Sequence, residues 1–375
     1  MESCLAELPD LRAALDEADR VLLKPNLLSS TRGPERHVNT HPAVVTALTN
    51  ILQADFGCEV SIGDSCGSFS PNATAGALER SGMVAVAEQT GAAVYNVDAQ
   101  PRHTLHFPQA RIYRDIPLPR SLDRFDVIVS VAKLKTHMLT CVTGPVKNYL
   151  GLVPGAAKKN AHVLAPHAVD FAALLCDLYA ALPPTAAFVD GIVGMEGRGP
   201  SNGSLREVGM IAAAADPVAL DSFCARAMGF DPLRVPLLAG CAERGLGVVR
   251  RQNMEVHGVA GGSFGAQDFA KPPIYAAGAM TRLVPRWLVR AGMSLFYTRY
   301  AAIDAEACVR CGECALNCPS HAISFDEQAD RYRVDRGKCI CCYCCAEVCP
   351  ADAIGVVGSW STRMADAAKG LLRGE

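Results

Sequence analysis

The sequence has no excess of charge of either sign. Formal net charge is −2 over 375 residues. Acids and bases are interspersed, which excludes the clustered basic face of a nucleic-acid binder. No run of 18 apolar residues occurs, so no membrane-spanning helix is expected. Met1 to Asp10 holds acids and no apolar centre, unlike a secretory leader. Several signatures of catalysis are also missing. There is no G-K-[ST] ending of a phosphate loop and no G-x-G-x-x-G in a strand–helix turn, which leaves nucleotide binding with little support. A nucleophile elbow, a flavin fingerprint and a C-x3-C-x2-C outside the tail are absent as well.

Cysteine is abundant and concentrated. Ten of the 17 cysteines lie between Cys308 and Cys349. Cys308, Cys311, Cys314 and Cys318 precede Pro319 as C-x2-C-x2-C-x3-C-P, and Cys339, Cys342, Cys345 and Cys349 precede Pro350 in the same pattern. The two runs are 31 residues apart, and Ala322-Ile323 recurs as Ala353-Ile354 at that offset. A disulfide scaffold would not repeat this spacing, and structural zinc needs only four ligands. An iron–sulfur cube needs four thiolates, and the fourth cysteine of each run serves the other cube in two-cluster ferredoxins. The expected ligands of one [4Fe–4S] cluster are therefore Cys308, Cys311, Cys314 and Cys349. Those of the second are Cys339, Cys342, Cys345 and Cys318. The stretch resembles the bacterial two-cluster ferredoxins. Cys341 and Cys344 stand outside that pattern. They either pack as small apolar groups or donate weak S–H hydrogen bonds that tune a cluster. Thiolate-held clusters fit a reducing, cytoplasmic setting.

Half the residues are hydrophobic, so a chain of this length can build two or three domains with a sizeable core. Residues 5–18 read as a helix and 20–24 as a buried strand ending in Lys24-Pro25-Asn26. Pro25 cannot continue a central ladder. Lys24 and Asn26 then fall at a strand's C-terminal end, where open α/β sheets bind ligands, unless this is an ordinary junction. A helix at 43–52 and a strand at 59–63 lead into Gly63-Asp64-Ser65-Cys66-Gly67. Asp64 and Ser65 suit a metal or phosphate-bearing ligand, or equally a helix cap or Asx turn. A helix at 75–90, a strand at 92–97, and an irregular or hairpin excursion at 99–125 with His103 and His106 follow. The alternation argues for an α/β domain with a mostly parallel sheet and flanking helices, ahead of a small α+β ferredoxin-like domain.

The densest polar constellation follows a buried strand at 125–131. It holds Lys133, Lys135, Thr136 and His137, read as a loop, then Lys147-Asn148, Lys158, Lys159, His162 and His167. No acid occurs between Lys133 and Asp170. A solvated charge run usually carries both signs, so this one suits an anion site. The plainer alternative is a basic loop that docks on the ferredoxin tail or another chain. A helix at 169–182 and a strand at 186–190 lead to a glycine-rich stretch containing Glu196. A strand at 208–215, a helix opened by Asp216-Pro217, a helix at 237–248 and a strand at 253–259 complete the domain.

The expected boundaries are 1–270 for the α/β domain, 271–300 for an amphipathic connector, 301–358 for the ferredoxin domain and 359–375 for a tail. Arg282, Arg286 and Arg290 recur at four-residue spacing in the connector, beside Trp287 and Leu288. Such a helix packs between domains or makes peripheral membrane contact through 274–298.

Lys24-Pro25-Asn26, Gly63-Asp64-Ser65, Lys133-x-Lys135-Thr136-His137, Val146-Lys147-Asn148, Gly194-Met195-Glu196-Gly197 and Asp216-x4-Asp221 together resemble the family called domain of unknown function 362. The resemblance covers roughly residues 20–260 and implies a shared α/β domain, often followed by a two-cluster ferredoxin. It carries no established reaction. Kinship with nickel-pincer lactate racemases is analogy of fold, and no feature here identifies that cofactor. The expected function is an iron–sulfur oxidoreductase acting on an anionic small molecule. In that reading Lys133, Lys135 and Lys147 hold the anion and His137 donates a proton. Asp64 and Glu196 support it or bind a metal. The alternatives are an electron carrier that docks a partner enzyme, and a non-redox enzyme whose clusters are structural or sensing.

Overall fold

The computed structural model describes residues 1–70, 72–258, 268–272, 275 and 299–358. In the first domain the strands are β1 (Arg20–Pro25), β2 (Glu59–Asp64), β3 (Ala93–Asn96), β4 (Arg102–His106), β5 (Asp115–Pro119), β6 (Val127–His137), β7 (Cys141–Thr143), β8 (Ala186–Glu196) and β9 (Ser204–Ala214). The main sheet runs β3-β2-β1-β6-β8-β9. Its first five members are parallel, β9 is antiparallel to β8, and β7 folds back on β6.

The sequence dictates this through strands that are apolar on both faces, the pattern of a sheet covered by helices on each side. Along β1, Val21 and Leu23 enter one core with Val44, Leu48 and Ile62, while Leu22 enters the opposite core. Along β6, Val129 and Val131 join the first core, and Ile128 and Ala132 the second, with Phe171 and Leu175. The period of two sorts side chains between the faces.

Several expectations change in detail. The helix expected at 5–18 divides into Glu2–Ala6 and Pro9–Asp16, because Pro9 has no N–H to donate and fits only a first turn. That expected at 75–90 divides at Gly82, whose φ of 83° no helix can hold. The residues read as a loop at 133–137 are strand: β6 runs on to His137, because β7 and β8 take up its backbone groups. No strand forms at 253–258, since β9 already occupies that sheet edge; Arg251–Asn253 is a single 3-10 turn. The hairpin expected within 99–125 is β4 with β5, and His106 pairs there with Asp115 at the surface.

In the second domain β10 (Arg299–Ile303) pairs antiparallel with β13 (Ile354–Gly358), and β11 (Ile323–Asp326) with β12 (Arg331–Val334). The sequence repeat is visible in the backbone. Arg310 and Cys341, Gly312 and Tyr343, and His321 and Asp352 are pairs 31 apart, and every member has positive φ. The fold is thus a mostly parallel α/β domain followed by a small α+β domain. The connector and tail fall almost wholly outside the described residues.

Candidate functional site

From β1 the sheet grows outward in both directions, through β2 on one side and β6 on the other. That reversal opens a crevice at the strands' carboxyl ends, the usual ligand position in open α/β sheets. A cavity lies there. Asn26, Asp64 and Ser65 line it from the ends of β1 and β2, Lys133 and His137 from β6, and Lys147, Asn148, Lys158 and His162 from the segments after β7. The second domain closes the other side with Cys344 and Glu347.

Beneath the cavity Lys24 meets Asp64 at 2.8 Å, both buried. Burial pushes the Lys24 ammonium down to about 8, against the pull of Asp64. Asp64 also accepts from the Leu27 N–H (2.8 Å) and the Ser65 N–H (2.8 Å), which fixes both flanking turns. Asn148 accepts from Lys24 Nζ at 3.1 Å and donates to Ser130 Oγ at 3.0 Å, so its amide is committed to the floor. Gly151 is needed here: a Cβ would run into the Asp64 carboxylate and the Lys24 ammonium.

Lys133 pairs with Asp190 at 2.8 Å, with neither exposed. Lys158 donates to Ser65 O and Oγ, both at 2.7 Å, and to Cys66 O. Lys147 makes no hydrogen bond or ion pair among the described residues, and burial pushes its ammonium below the usual lysine range. Three lysines line the cavity against the two carboxylates of Asp64 and Glu347. The Asn26 Oδ1 and His162 Nδ1 atoms there are buried without partners among the described residues. Unpaired polar groups facing an enclosed space suit a polar ligand, and the charge balance suits an anion.

His137 is held at both nitrogens. Its Nδ1 accepts from the N–H groups of Leu139 (3.0 Å) and Thr140 (3.3 Å), and its Nε2 faces Glu347 Oε1 at 3.2 Å. The proton therefore sits on Nε2 and points at the carboxylate. Burial and the neighbouring Lys147 push His137 down to about 4. Burial alone would raise Glu347, but His137 and Lys147 hold it at about 2.

Of the residues singled out in the sequence, Asn26, Asp64, Ser65, Lys133, His137, Lys147 and Asn148 meet at the cavity. Lys24 lies under its floor. Lys135 is not at the cavity: its Nζ donates to Val38 O at 2.6 Å, deep in the protein. Glu196 is also elsewhere, paired with Arg206 at 3.0 Å. His137 is no free proton donor, because both ring nitrogens are engaged. Lys158 and His162 were legible only as part of a basic run. Cys344 stood out only as an extra thiol of the cluster loop and Glu347 gave no local signal, since the second domain brings them to the cavity from some two hundred residues away.

The donor chemistry of the two cysteine runs suits cube ligation. Cys318, Cys339, Cys342 and Cys345 surround one space. The Cys314 thiol, pushed up to about 12 mainly by burial, also feels Cys311, Cys308 and Cys349. Ala322 N–H donates to Cys318 Sγ at 3.2 Å, and its repeat mate Ala353 donates to Cys349 Sγ at 3.3 Å. Such N–H···S bonds stabilise thiolate ligands. Of the two extra thiols, Cys341 S–H donates to the Cys339 carbonyl at 3.9 Å, and Cys344 is buried.

Polar contacts join the domains around the cavity. Arg32 donates to Cys349 O (3.1 Å) and Ser201 O and pairs with Asp352. Ser201 Oγ donates to Glu347 O at 2.8 Å, and Ser68 Oγ to Asn317 Oδ1 at 3.1 Å. Among the described residues no helix is long and apolar enough to cross a membrane.

A thylakoid-associated protein of Synechocystis is 33% identical over 229 residues, 61% of this chain and 68% of that protein. A lactate racemase apoprotein from Thermoanaerobacterium thermosaccharolyticum superposes with a TM-score of 0.42 at 10% identity, over 59% of this chain and only 52% of its own. A Thermotoga maritima protein gives 0.37 at 12% identity, over 89% of this chain and 86% of its own. Residues 307–353 match the 4Fe-4S dicluster domain, which gives the chain [4Fe–4S] binding and a role in electron transfer. Residues 21–226 match the family described as Domain of unknown function (DUF362), and the chain belongs to that family.

Proposed function

We propose that the protein is an iron–sulfur oxidoreductase whose substrate is an anionic small molecule held in the cavity between its two domains. The observation that carries this reading is a cavity with more lysines than carboxylates, one lysine unpaired, walled on one side by the cluster-binding domain. Residues 1–270 form the substrate domain, 271–300 a connector, 301–358 the electron-transfer domain and 359–375 a tail. Cys308, Cys311, Cys314 and Cys349 hold one [4Fe–4S] cluster, and Cys339, Cys342, Cys345 and Cys318 the second. When bound, the clusters supply transfer of single electrons. The chain's own groups do the rest. Lys147 faces the anion, and Lys133 and Lys158 add positive charge to the cavity wall. Asp64 and Lys24 hold the two loops that form the floor. His137 positions Glu347.

We place the protein in the reducing cytoplasm. The thylakoid association of its Synechocystis relative supports a position at a membrane surface, reached through 274–298.

The test uses full-length protein purified anaerobically. About eight irons per chain are expected for two cubes. The reduced protein should be reoxidised by an anionic acceptor carrying carboxylate or phosphate. Lys147→Met should weaken that reaction ~10- to 100-fold, the worth of one charge-assisted hydrogen bond. Four irons after careful reconstitution would overturn the ligand sets. Equal reoxidation of both proteins, by charged and uncharged acceptors alike, would overturn the cavity as the substrate site.

A further inference from the structure

The internal repeat of the cluster-binding domain supplies its own control. Its two halves share backbone and cysteine spacing, so differences between them mark what each half faces. In the first half Cys311 is exposed and Val309 is 63% exposed. Their mates 31 residues on are the buried Cys342 and the half-buried Ile340. Leu316 lies half exposed to solvent; its mate Glu347 is only 12% exposed and projects into the cavity against His137. The mate of Glu313, which reaches Ser70 at the domain contact, is Cys344. Cys344 is buried in the cavity wall, between the expected ligands Cys342 and Cys345 in the chain. Lys147 lines the same cavity.

We propose that the unpaired Lys147 and Cys344 couple the anion site to one cluster only, the inner one held by Cys318, Cys339, Cys342 and Cys345. The cluster of Cys308, Cys311, Cys314 and Cys349 is the outer one, beside the exposed Val309. This rests on the two-cluster, anion-binding reading above and adds an order and a regulatory link to it. Reduction places one more negative charge on the inner cluster, across the Cys344 wall from the bound anion. The two repel. The anion therefore binds more tightly when the inner cluster is oxidised, and by linkage its binding lowers that cluster's reduction potential by the same factor. Two unit charges on the order of 10 Å apart, at an effective dielectric of ~20, change an equilibrium roughly tenfold. For a one-electron couple a tenfold change is ~59 mV.

The experiment is a redox titration of the anaerobic full-length holoprotein followed by electron paramagnetic resonance, with and without saturating inorganic phosphate at constant ionic strength. Phosphate binding is measured independently by calorimetry on the same protein. One cluster's potential is expected to fall by ~60 mV with phosphate while the other stays put. Lys147→Met should abolish both the binding and the shift. Cys344→Ala removes a polar S–H beside the ligands Cys342 and Cys345 and should lower, without phosphate, the potential of the same cluster that phosphate moves. Binding that depends on Lys147 but shifts neither cluster, or shifts both alike, overturns the coupling and leaves the anion site standing. If Cys344→Ala moves the cluster that phosphate does not, the inner and outer assignments are wrong. Absence of any phosphate binding overturns the coupling together with the anion site.

Discussion

Replacing Asp190 with Asn removes one charge from a pair wholly out of solvent. Asp190 Oδ2 accepts from Lys133 Nζ at 2.8 Å and from the His41 N–H at 2.9 Å, and it therefore also sets the start of helix Pro42–Phe56. Asn keeps the shape and one acceptor but leaves the Lys133 ammonium buried with no counter-charge. Breaking a buried pair from one side costs about 3–5 kcal/mol. At ~2–4 °C per kcal/mol for a domain of this size, the apparent melting temperature should fall by roughly 6–20 °C. Scans of the anaerobic holoprotein at a fixed rate, monitored by far-ultraviolet circular dichroism, read the shift. The partner arm is Lys133→Met with Asp190→Leu. Apolar replacement of a whole buried pair is often neutral, so the double variant should recover most of the loss despite carrying two changes. A drop under ~1 kcal/mol in Asp190→Asn, or a double variant as poor as the two singles summed, would refute the account of a charge pair that matters chiefly when half of it is missing.

Gly144→Ala should destabilise by about 1–3 kcal/mol, since the added Cβ meets the Asp221 carboxylate, which holds the Val146 N–H at 2.9 Å. Denaturant unfolding measures the loss, and shortening Asp221 to Ser alongside should not deepen it. The pH dependence of stability has a definite sign at the domain contact. His137 falls from its ordinary 6.5 to about 4 in the folded protein, so its neutral form is favoured there. Its contribution is present above the ordinary value and is lost as pH falls from 6.5 towards 4, where the unfolded chain takes up the proton more readily. Stability curves from pH 7 to pH 4.5 should therefore be flatter for His137→Gln than for the natural protein, and parallel curves would count against the placement of this ring.

Much of the site could be read locally. Lys133 and His137 stand out because they follow an apolar run that must be a buried strand, and Lys24-Pro25-Asn26 because proline ends a ladder. The reading failed where spacing alone could not show direction. Lys135 has the same face as Lys133 by the period of two, yet its side chain turns to Val38 O. Glu196 sits in a glycine-rich motif, but β8 carries it beyond the crevice to Arg206. Strand β6 was expected to stop near residue 131, because lysine and histidine look like loop residues. Burial with Asp190 and Glu347 as partners is what allows them in a strand.

Two things were determined by the amino-acid sequence itself. The doubled cysteine spacing prescribes cube ligation, because thiolate geometry is a local property of a few consecutive residues. The apolar runs between helices prescribe a covered parallel sheet, because burial on both faces is written into every residue of a strand. Which groups share the cavity was decided only by the tertiary structure. Glu347 meets His137, and Cys344 lines the same cavity as Lys147, only because Arg32, Ser68 and Ser201 tie the second domain over the carboxyl ends of the first domain's strands. Contacts between residues about two hundred positions apart leave no periodic trace in either segment; they depend on the complementarity of two finished surfaces.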